Sequence, residues 1–367
     1  MLTMALASPN VIHFFVTDKC NLDCAYCFRA YSPGEKSSEN TLKIAEILAQ
    51  NKVKHVIIGG GEPTLVKNLD EIIGILKNGN VSTELHTNCL TLTRKRLEEL
   101  RSLVDVIGIP IDTLDEKIQT ELRTYPNYVK LIKRVTKDCQ DLDYKIVFHT
   151  VATDLNINQM PALYSRFIKN TNCDLWKIYE FNDSLAMLGN VHNRASRSEK
   201  IKRYEKILQM CGPYDPEKGD FDCLLAKFLL TEEKMKKKYE DKRIKFVGVQ
   251  DEKPEGYLFI DDTGIASYYN WFLTQRQTRF KIGNLLAEGF PAIIEKYQKA
   301  EDEEREFSED DFIKVENSRP LFVRLCENCY APEEIDDIKP KYWRRINHLM
   351  ELWQIKHHGE ALYKLMR

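Results

Sequence analysis

Three cysteines stand within eight residues near the start of the chain, in the run Cys20-Asn21-Leu22-Asp23-Cys24-Ala25-Tyr26-Cys27. Thiolates crowded in this way can converge on one metal centre. Three on a single loop suit three corners of a cubane iron–sulfur cluster, leaving the fourth iron without a protein ligand. An open coordination position is what a metal needs in order to act on a bound molecule. The alternative is a structural zinc site, although zinc commonly takes four protein ligands, often as paired CxxC units. A second segment, Gly59-Gly60-Gly61-Glu62-Pro63, can bring backbone close to a ligand because glycine has no Cβ. By itself it also suits a plain strand-to-helix turn.

The elements that must position these residues are legible as alternating runs. Val11 to Thr17 is short, apolar and β-branched, as expected of a buried parallel strand, and it leads directly into the cysteine loop. Ser38 opens a helix with Leu42, Ala45 and Leu48 on one face. Val56-Ile57-Ile58 is the next strand and ends at the glycine run, and Leu69, Ile72, Ile73 and Leu76 mark the next helix. Strands are expected near 81–87, 104–111, 144–151 and 174–181, with helices near 93–102, 127–139 and 157–170. Six β-then-α units imply a parallel sheet, because parallel neighbours need crossover connections. Six are too few for a closed eight-stranded barrel, so an α/β fold with a partial (β/α)6 TIM-like barrel, open on one side, fits the count. Loops at the C-terminal ends of its strands are where a site belongs.

The pattern changes after residue 181. Residues 197–245 read as charged helix, Tyr257 to Ile260 and Ile265 to Tyr269 as a β-hairpin about Asp261-Asp262-Thr263-Gly264, and a helix follows near 290–300. An acidic stretch from Glu301 to Asp311 precedes a helical tail from Tyr342 to Met366. The expected organisation is a core barrel over 1–185, a helical connector over 186–245, and an α+β extension with C-terminal helices over 246–367. Lys234 and Lys236 to Lys238 alternate with Glu232, Glu233, Glu240 and Asp241, the mark of a solvated helix face rather than of a nucleic-acid site.

The formal net charge of −2 likewise implies no pull toward nucleic acid. The first residues lack a basic leader, and no run approaches the roughly 18–20 apolar residues that span a bilayer, so a cytoplasmic protein without a membrane partner is expected. In that compartment the ten cysteines stay reduced. Cys211, Cys223, Cys326 and Cys329 could share one further cluster or one zinc, with Cys326-x2-Cys329 as a chelating pair, or be four ordinary thiols. Cys89, Cys139 and Cys173 are isolated and expected to be buried. His86, His149 and His192 could serve as acid–base groups, but the expected role is structural.

Cys20-x3-Cys24-x2-Cys27 after the first strand, with Tyr26 before the last cysteine, resembles the defining motif of the radical S-adenosylmethionine (radical SAM) superfamily, and Gly60-Gly61-Glu62-Pro63 resembles its GGEP segment. The resemblance covers roughly residues 11–181. It implies a [4Fe-4S] cluster on Cys20, Cys24 and Cys27 whose unique iron binds S-adenosylmethionine. One-electron cleavage of that ligand would yield a 5′-deoxyadenosyl radical that abstracts hydrogen from a substrate. An electron-donating partner such as flavodoxin or ferredoxin is implied as well. The same resemblance makes Tyr26, Gly60, Gly61, Glu62, Pro63, Asn88 (with Thr87), Asp112, Arg123, Thr150 (with Asn156) and Tyr179 the cofactor-binding set. Glu62 and the backbone there would meet the methionine ammonium, Arg123 its carboxylate and Thr150 the ribose. Pro110 departs from the family pattern, where a serine is common.

Phe259 to Gly264 and Lys281 to Leu285 resemble a SPASM or twitch extension, with Tyr268 and Tyr269 where its hairpin normally supplies a cysteine. Two substrates follow from these resemblances. A degenerate SPASM-like extension favours modification of a ribosomally made peptide, although no peptide-binding domain is recognisable before the first strand. Trp176-Lys177-Ile178-Tyr179, similar to the adenine-lining segment of viperin-like members, favours a nucleotide or nucleotide sugar. A non-catalytic iron–sulfur or zinc module is the reading from another class. It leaves Gly59 to Pro63 without a purpose.

Overall fold

The computed structural model describes residues 11–27, 37–181, 221–248, 257–267 and 281–305, with a few isolated positions besides. Cys211, Cys326, Cys329, Tyr268, Tyr269, His192 and the tail from Tyr342 lie outside the described residues, and Cys223 falls in a helix where its side chain is not described.

Six β/α units form in the expected order: β1 (Val11–Thr17), α1 (Ser38–Gln50), β2 (His55–Gly60), α2 (Leu69–Asn78), β3 (Ser82–His86), α3 (Arg94–Leu100), β4 (Val106–Pro110), α4 (Glu116–Arg123), α5 (Tyr128–Asp141), β5 (Lys145–Ala152), α6 (Met160–Arg166) and β6 (Leu175–Glu180). The cap of α1 is Ser37, whose hydroxyl accepts from the Asn40 N–H at 3.0 Å. The helix expected over 157–170 is broken into two single 3-10 turns flanking α6. Pro161 in its first turn carries no N–H, and Phe167 leaves helical geometry at φ −134°. The extra helix α4 starts on Asp115, whose carboxylate accepts from the N–H groups of Lys117 and Ile118, and its last turn carries Arg123 to the rim of the sheet.

All six strands run parallel, and two later strands lengthen the row. After α7 (Phe221–Tyr239), β7 (Ile244–Val247) pairs with β6, and β8 (Tyr257–Asp261) pairs with β1, both in parallel. The hairpin expected about Asp261 to Gly264 forms from β8 and β9 (Ile265–Ser267), and β10 (Lys281–Asn284) closes that edge antiparallel. The order is β10-β9-β8-β1-β2-β3-β4-β5-β6-β7. The C-terminal hairpin thus continues the barrel sheet. The reason is the edge of β1, whose unpaired N–H and C=O groups need partners that β8 supplies.

The faces of this sheet differ. On the helix side sit Ile12, Phe14, Ile58, Leu85, Ile107, Ile146, Phe148 and Trp176, all fully buried. Trp176 stacks on Tyr164 of α6 with ring centroids 6.3 Å apart, and its indole N–H donates to the Thr150 hydroxyl at 2.8 Å. Strand parity turns alternate residues to the other face, and there His13, His55, Glu84, His86, His149 and Lys177 stand beside apolar Phe15, Ile57 and Phe259. A continuous apolar strand is therefore realised on one face only. Truncating Trp176→Ala is expected to cost about 3–5 kcal/mol, whereas Trp176→Phe, losing chiefly one hydrogen bond, should cost about 1 kcal/mol; chemical denaturation of the two variants measures both.

Candidate functional site

The cysteine loop leaves β1 and is pinned by its apolar residues. Leu22 and Ala25 are buried in the core, and the Ala25 N–H donates to the Leu122 carbonyl at 2.9 Å. Cys20, Cys24 and Cys27, between and beside these anchors, are half-buried and not in disulfides. Burial pushes the Cys24 thiol up to about 12; the Arg123 guanidinium opposes that, while the nearby Cys27 and Cys20 thiols add to it.

The glycine turn at the end of β2 is fastened to this loop. The Gly61 N–H donates to the Thr17 carbonyl and the Glu62 N–H to the Lys19 carbonyl, both at 2.7 Å. Only glycine permits this approach. A Cβ on Gly60, whose φ is +128°, would lie 2.2 Å from the Thr17 oxygen, and one on Gly61 would lie 2.0 Å from the Lys19 oxygen. Pro63 then opens a single 3-10 turn, where its missing N–H costs nothing.

Glu62 is held within the protein. Its side chain is fully buried and accepts from the Thr64 N–H and hydroxyl, the Thr87 hydroxyl at 2.7 Å and the Asn88 N–H at 2.6 Å. A carboxylate with its lone pairs committed in this way ties the ends of β2 and β3 together. Asn88, beside it, reaches the loop: its amide donates to the Asn21 side-chain oxygen at 2.7 Å and to the Cys20 sulfur at 3.6 Å.

A second buried carboxylate, Asp112, gathers the opposite rim. One oxygen accepts from Tyr26 OH at 2.9 Å, Gln119 at 3.1 Å and the Arg123 Nε at 2.7 Å, and the other from the Val151 N–H at 3.0 Å. Arg123 lies over the rings of Tyr26 and Tyr128, at 5.3 and 5.4 Å. Burial alone would lower the Arg123 pKa, but Asp112 beside it holds it well above the ordinary arginine value. Arg123 is thus paired within the protein, and its Nε is not directed at a ligand's carboxylate.

Thr150 and Trp176 are corrected. Both face the helix layer, because positions 146, 148 and 150 of β5 share one parity; the Thr150 hydroxyl donates to the Ile111 carbonyl. Asn156 is likewise internal, donating to the Asp112 and Val151 carbonyls. Tyr179 lies on the polar face, stacked on His149 with centroids 5.7 Å apart. Cys89, Cys139 and Cys173 are buried, as expected. Glu84, His55 and His13 were not singled out from sequence. The signal available was their period-2 placement with His86 and His149, visible only once strand parity is assigned.

A cavity of about 790 Å³ opens between Lys77, Arg101, Asp105 and Lys145 at the N-terminal ends of the strands, the far side from the cysteines. Its Lys77 and Asp105 are ion-paired, and nothing there resembles a reactive centre.

The three thiols suit a [4Fe-4S] cluster as a donor set, because they come from one loop and thiolate sulfur is the ligand that iron–sulfur clusters take. Asp112→Asn, which leaves the buried Arg123 guanidinium without its counter-charge, is expected to cost about 3–5 kcal/mol, measurable as a lower denaturation midpoint.

Residues 14–167 match the family model described as the Radical SAM superfamily. An S-adenosylmethionine-dependent nucleotide dehydratase of Flammeovirga pacifica is 23% identical over 46% of this chain and 61% of its own length. A PqqA peptide cyclase of Bradyrhizobium diazoefficiens is 28% identical over 42% of each. The chain therefore spans roughly two-fifths to three-fifths of the length of these curated relatives. By fold, it is similar to Streptococcus suis SuiB bound to precursor peptide SuiA, with a TM-score of 0.60 and 17% identity over 82% of this chain and 67% of that one. The loop and the turn bonded to it both lie within the matched segment, so residues 14–167 are similar to the radical SAM superfamily.

Proposed function

We propose that the chain is a radical SAM enzyme that modifies a ribosomally made peptide, with Cys20, Cys24 and Cys27 holding a [4Fe-4S] cluster. The observation that carries the reading is the pair of 2.7 Å hydrogen bonds by which Gly61 and Glu62 meet the loop ahead of Cys20. That seam brings ligand-approachable backbone beside a three-thiol donor set, and a purely structural metal site has no need of it. When bound, the cluster supplies one electron to cleave S-adenosylmethionine to methionine and a 5′-deoxyadenosyl radical.

The chain's own residues position and exclude. Gly60 and Gly61 offer backbone polar groups at the rim. Asn88, held through Glu62, braces Cys20. Asp112, by bonding Tyr26 and Arg123 together, fixes the loop's aromatic and a buried cation on the side away from Asn88. Tyr179 walls the polar face. The electron comes from a partner of the flavodoxin or ferredoxin kind.

A peptide substrate is supported by the likeness to SuiB, which reaches well beyond the segment matched by the family model. The relative of Flammeovirga pacifica supports the second reading, a nucleotide or nucleotide-sugar substrate. Cys223, Cys211, Cys326 and Cys329 remain candidates for an auxiliary metal site.

Anaerobic reconstitution with iron and sulfide, then addition of dithionite and S-adenosylmethionine, is expected to yield 5′-deoxyadenosine. Cys24→Ala should reduce the yield to background, and a reconstituted wild-type protein that forms none would remove the enzyme reading. Iron counted in a Cys20/Cys24/Cys27 triple alanine variant tests the auxiliary site: about four residual irons support a cluster there, none refutes it. Deuterated peptides and deuterated nucleotides offered in parallel separate the two substrates by which passes deuterium into 5′-deoxyadenosine.

A further inference from the structure

We infer that Glu84, His86 and His149 form a second metal site, for a divalent first-row transition ion, on the polar face of the sheet. Glu84 and His86 lie two residues apart on β3 and so share that face, and His149 comes from β5, two strands away. Their ligand atoms all lie within 4.8 Å of one another. The Glu84 Oε1 is 2.6 Å from His86 Nε2 and 3.8 Å from His149 Nε2. Ligands about 2.0–2.2 Å from a shared ion stand about 3–3.5 Å apart, so small side-chain rotations complete the triangle.

The intervening strand makes room for it. Gly108 of β4 sits opposite His86 in register. A Cβ there would lie 2.5 Å from His86 Cδ2 and 3.0 Å from His149 Nε2, so any other residue would push the two imidazoles out of place.

An independent observation points to a ligand. His149 Nε2 is buried and has no hydrogen-bond partner, and buried polar atoms of this kind call for an explanation. Its other nitrogen faces the Tyr179 hydroxyl at 3.3 Å, which orients the ring with Nε2 toward Glu84. The second Glu84 oxygen is held by His55 Nε2 at 3.2 Å, and His55 Nδ1 by the Ser82 hydroxyl at 3.2 Å. Metal-ligating histidines and carboxylates are steadied by outer partners of this type.

Two imidazoles and one carboxylate leave coordination positions open, and imidazole suits iron, zinc, nickel or copper rather than calcium or magnesium. Lys177 on β6 adds positive charge near His149, which also disfavours hard cations held by charge alone. His86 is the most exposed of the three, with 27% of its side chain accessible, and gives the ion its entry. In the chain, His86 is followed at once by Thr87 and Asn88, which bond Glu62 and Cys20. The ion would thus sit on the same strand as the rim residues, separate from the three thiols.

The test uses Co2+ as probe. Reconstituted holoprotein is equilibrated with Co2+, desalted, and examined for cobalt content and visible absorption. About one Co2+ per chain is expected, and the triple Cys20/Cys24/Cys27 alanine variant, which lacks the [4Fe-4S] cluster's own sulfur-to-iron absorption, should retain it and show the ligand-field bands. His86→Gln and His149→Gln should abolish retention with unchanged circular dichroism, and Tyr179→Phe should weaken binding on the order of 10-fold. No retained cobalt in the wild type, loss of cobalt from the triple alanine variant, or full retention in both glutamine variants would each overturn the assignment. None of these readouts depends on 5′-deoxyadenosine formation, so the site and the proposed activity can fail separately.

Discussion

Two backbone hydrogen bonds, from Gly61 to Thr17 and from Glu62 to Lys19, hold the first and second strand ends together, and the site depends on them. They exist because positions 60 and 61 carry no Cβ. Any side chain there would meet the carbonyl oxygens at about van der Waals overlap or closer, prying the loop from the strand. The loop is fastened further by Leu22 and Ala25 in the core, by the Ala25 N–H on α4, by Tyr26 on Asp112 and by Asn88 on Asn21. With the seam intact, three thiols stay half-exposed at the rim.

Around that seam the fold places two fully buried carboxylates, and each gathers polar groups from separate elements. Glu62 bonds the ends of β2 and β3; Asp112 bonds the loop, α4 and β5. A buried carboxylate is costly unless its hydrogen bonds are satisfied, and removing one partner leaves the other side stranded. The rim is therefore rigid by necessity, because few of its polar groups can turn away without leaving a buried charge unpaired. Rigidity of this sort is what a site needs when the hard chemistry belongs to a bound cofactor and the protein's part is placement.

The sheet is asymmetric in the same spirit. Its helix side is closed with Phe14, Ile58, Phe148 and Trp176, which supply the apolar burial that holds α1 to α6 in place. Its other side is lined with His13, His55, Glu84, His86, His149 and Lys177. Burial lowers the pKa of His13 to about 3 and that of His149 well below the ordinary value, with His86 as the next contribution in each case. These rings are thus neutral, with ring nitrogens available as acceptors.

The order of the β/α units, the cysteine loop after β1 and the glycine turn after β2 were all determined by the sequence alone, because period, turn chemistry and ligand spacing are local properties. So was the burial of Cys89, Cys139 and Cys173. What Glu62, Arg123 and Thr150 do was decided only by tertiary structure. Each is a polar residue at a strand end or nearby helix, and such residues look alike in sequence whether they face a ligand or a neighbouring strand. Packing turned Glu62 and Arg123 onto protein partners, and the parity of β5 sent Thr150 to Trp176. The joining of β8 to β1 and the meeting of Glu84, His86 and His149 also required the fold, since both bring together residues on different strands, and no local pattern encodes which strands become neighbours.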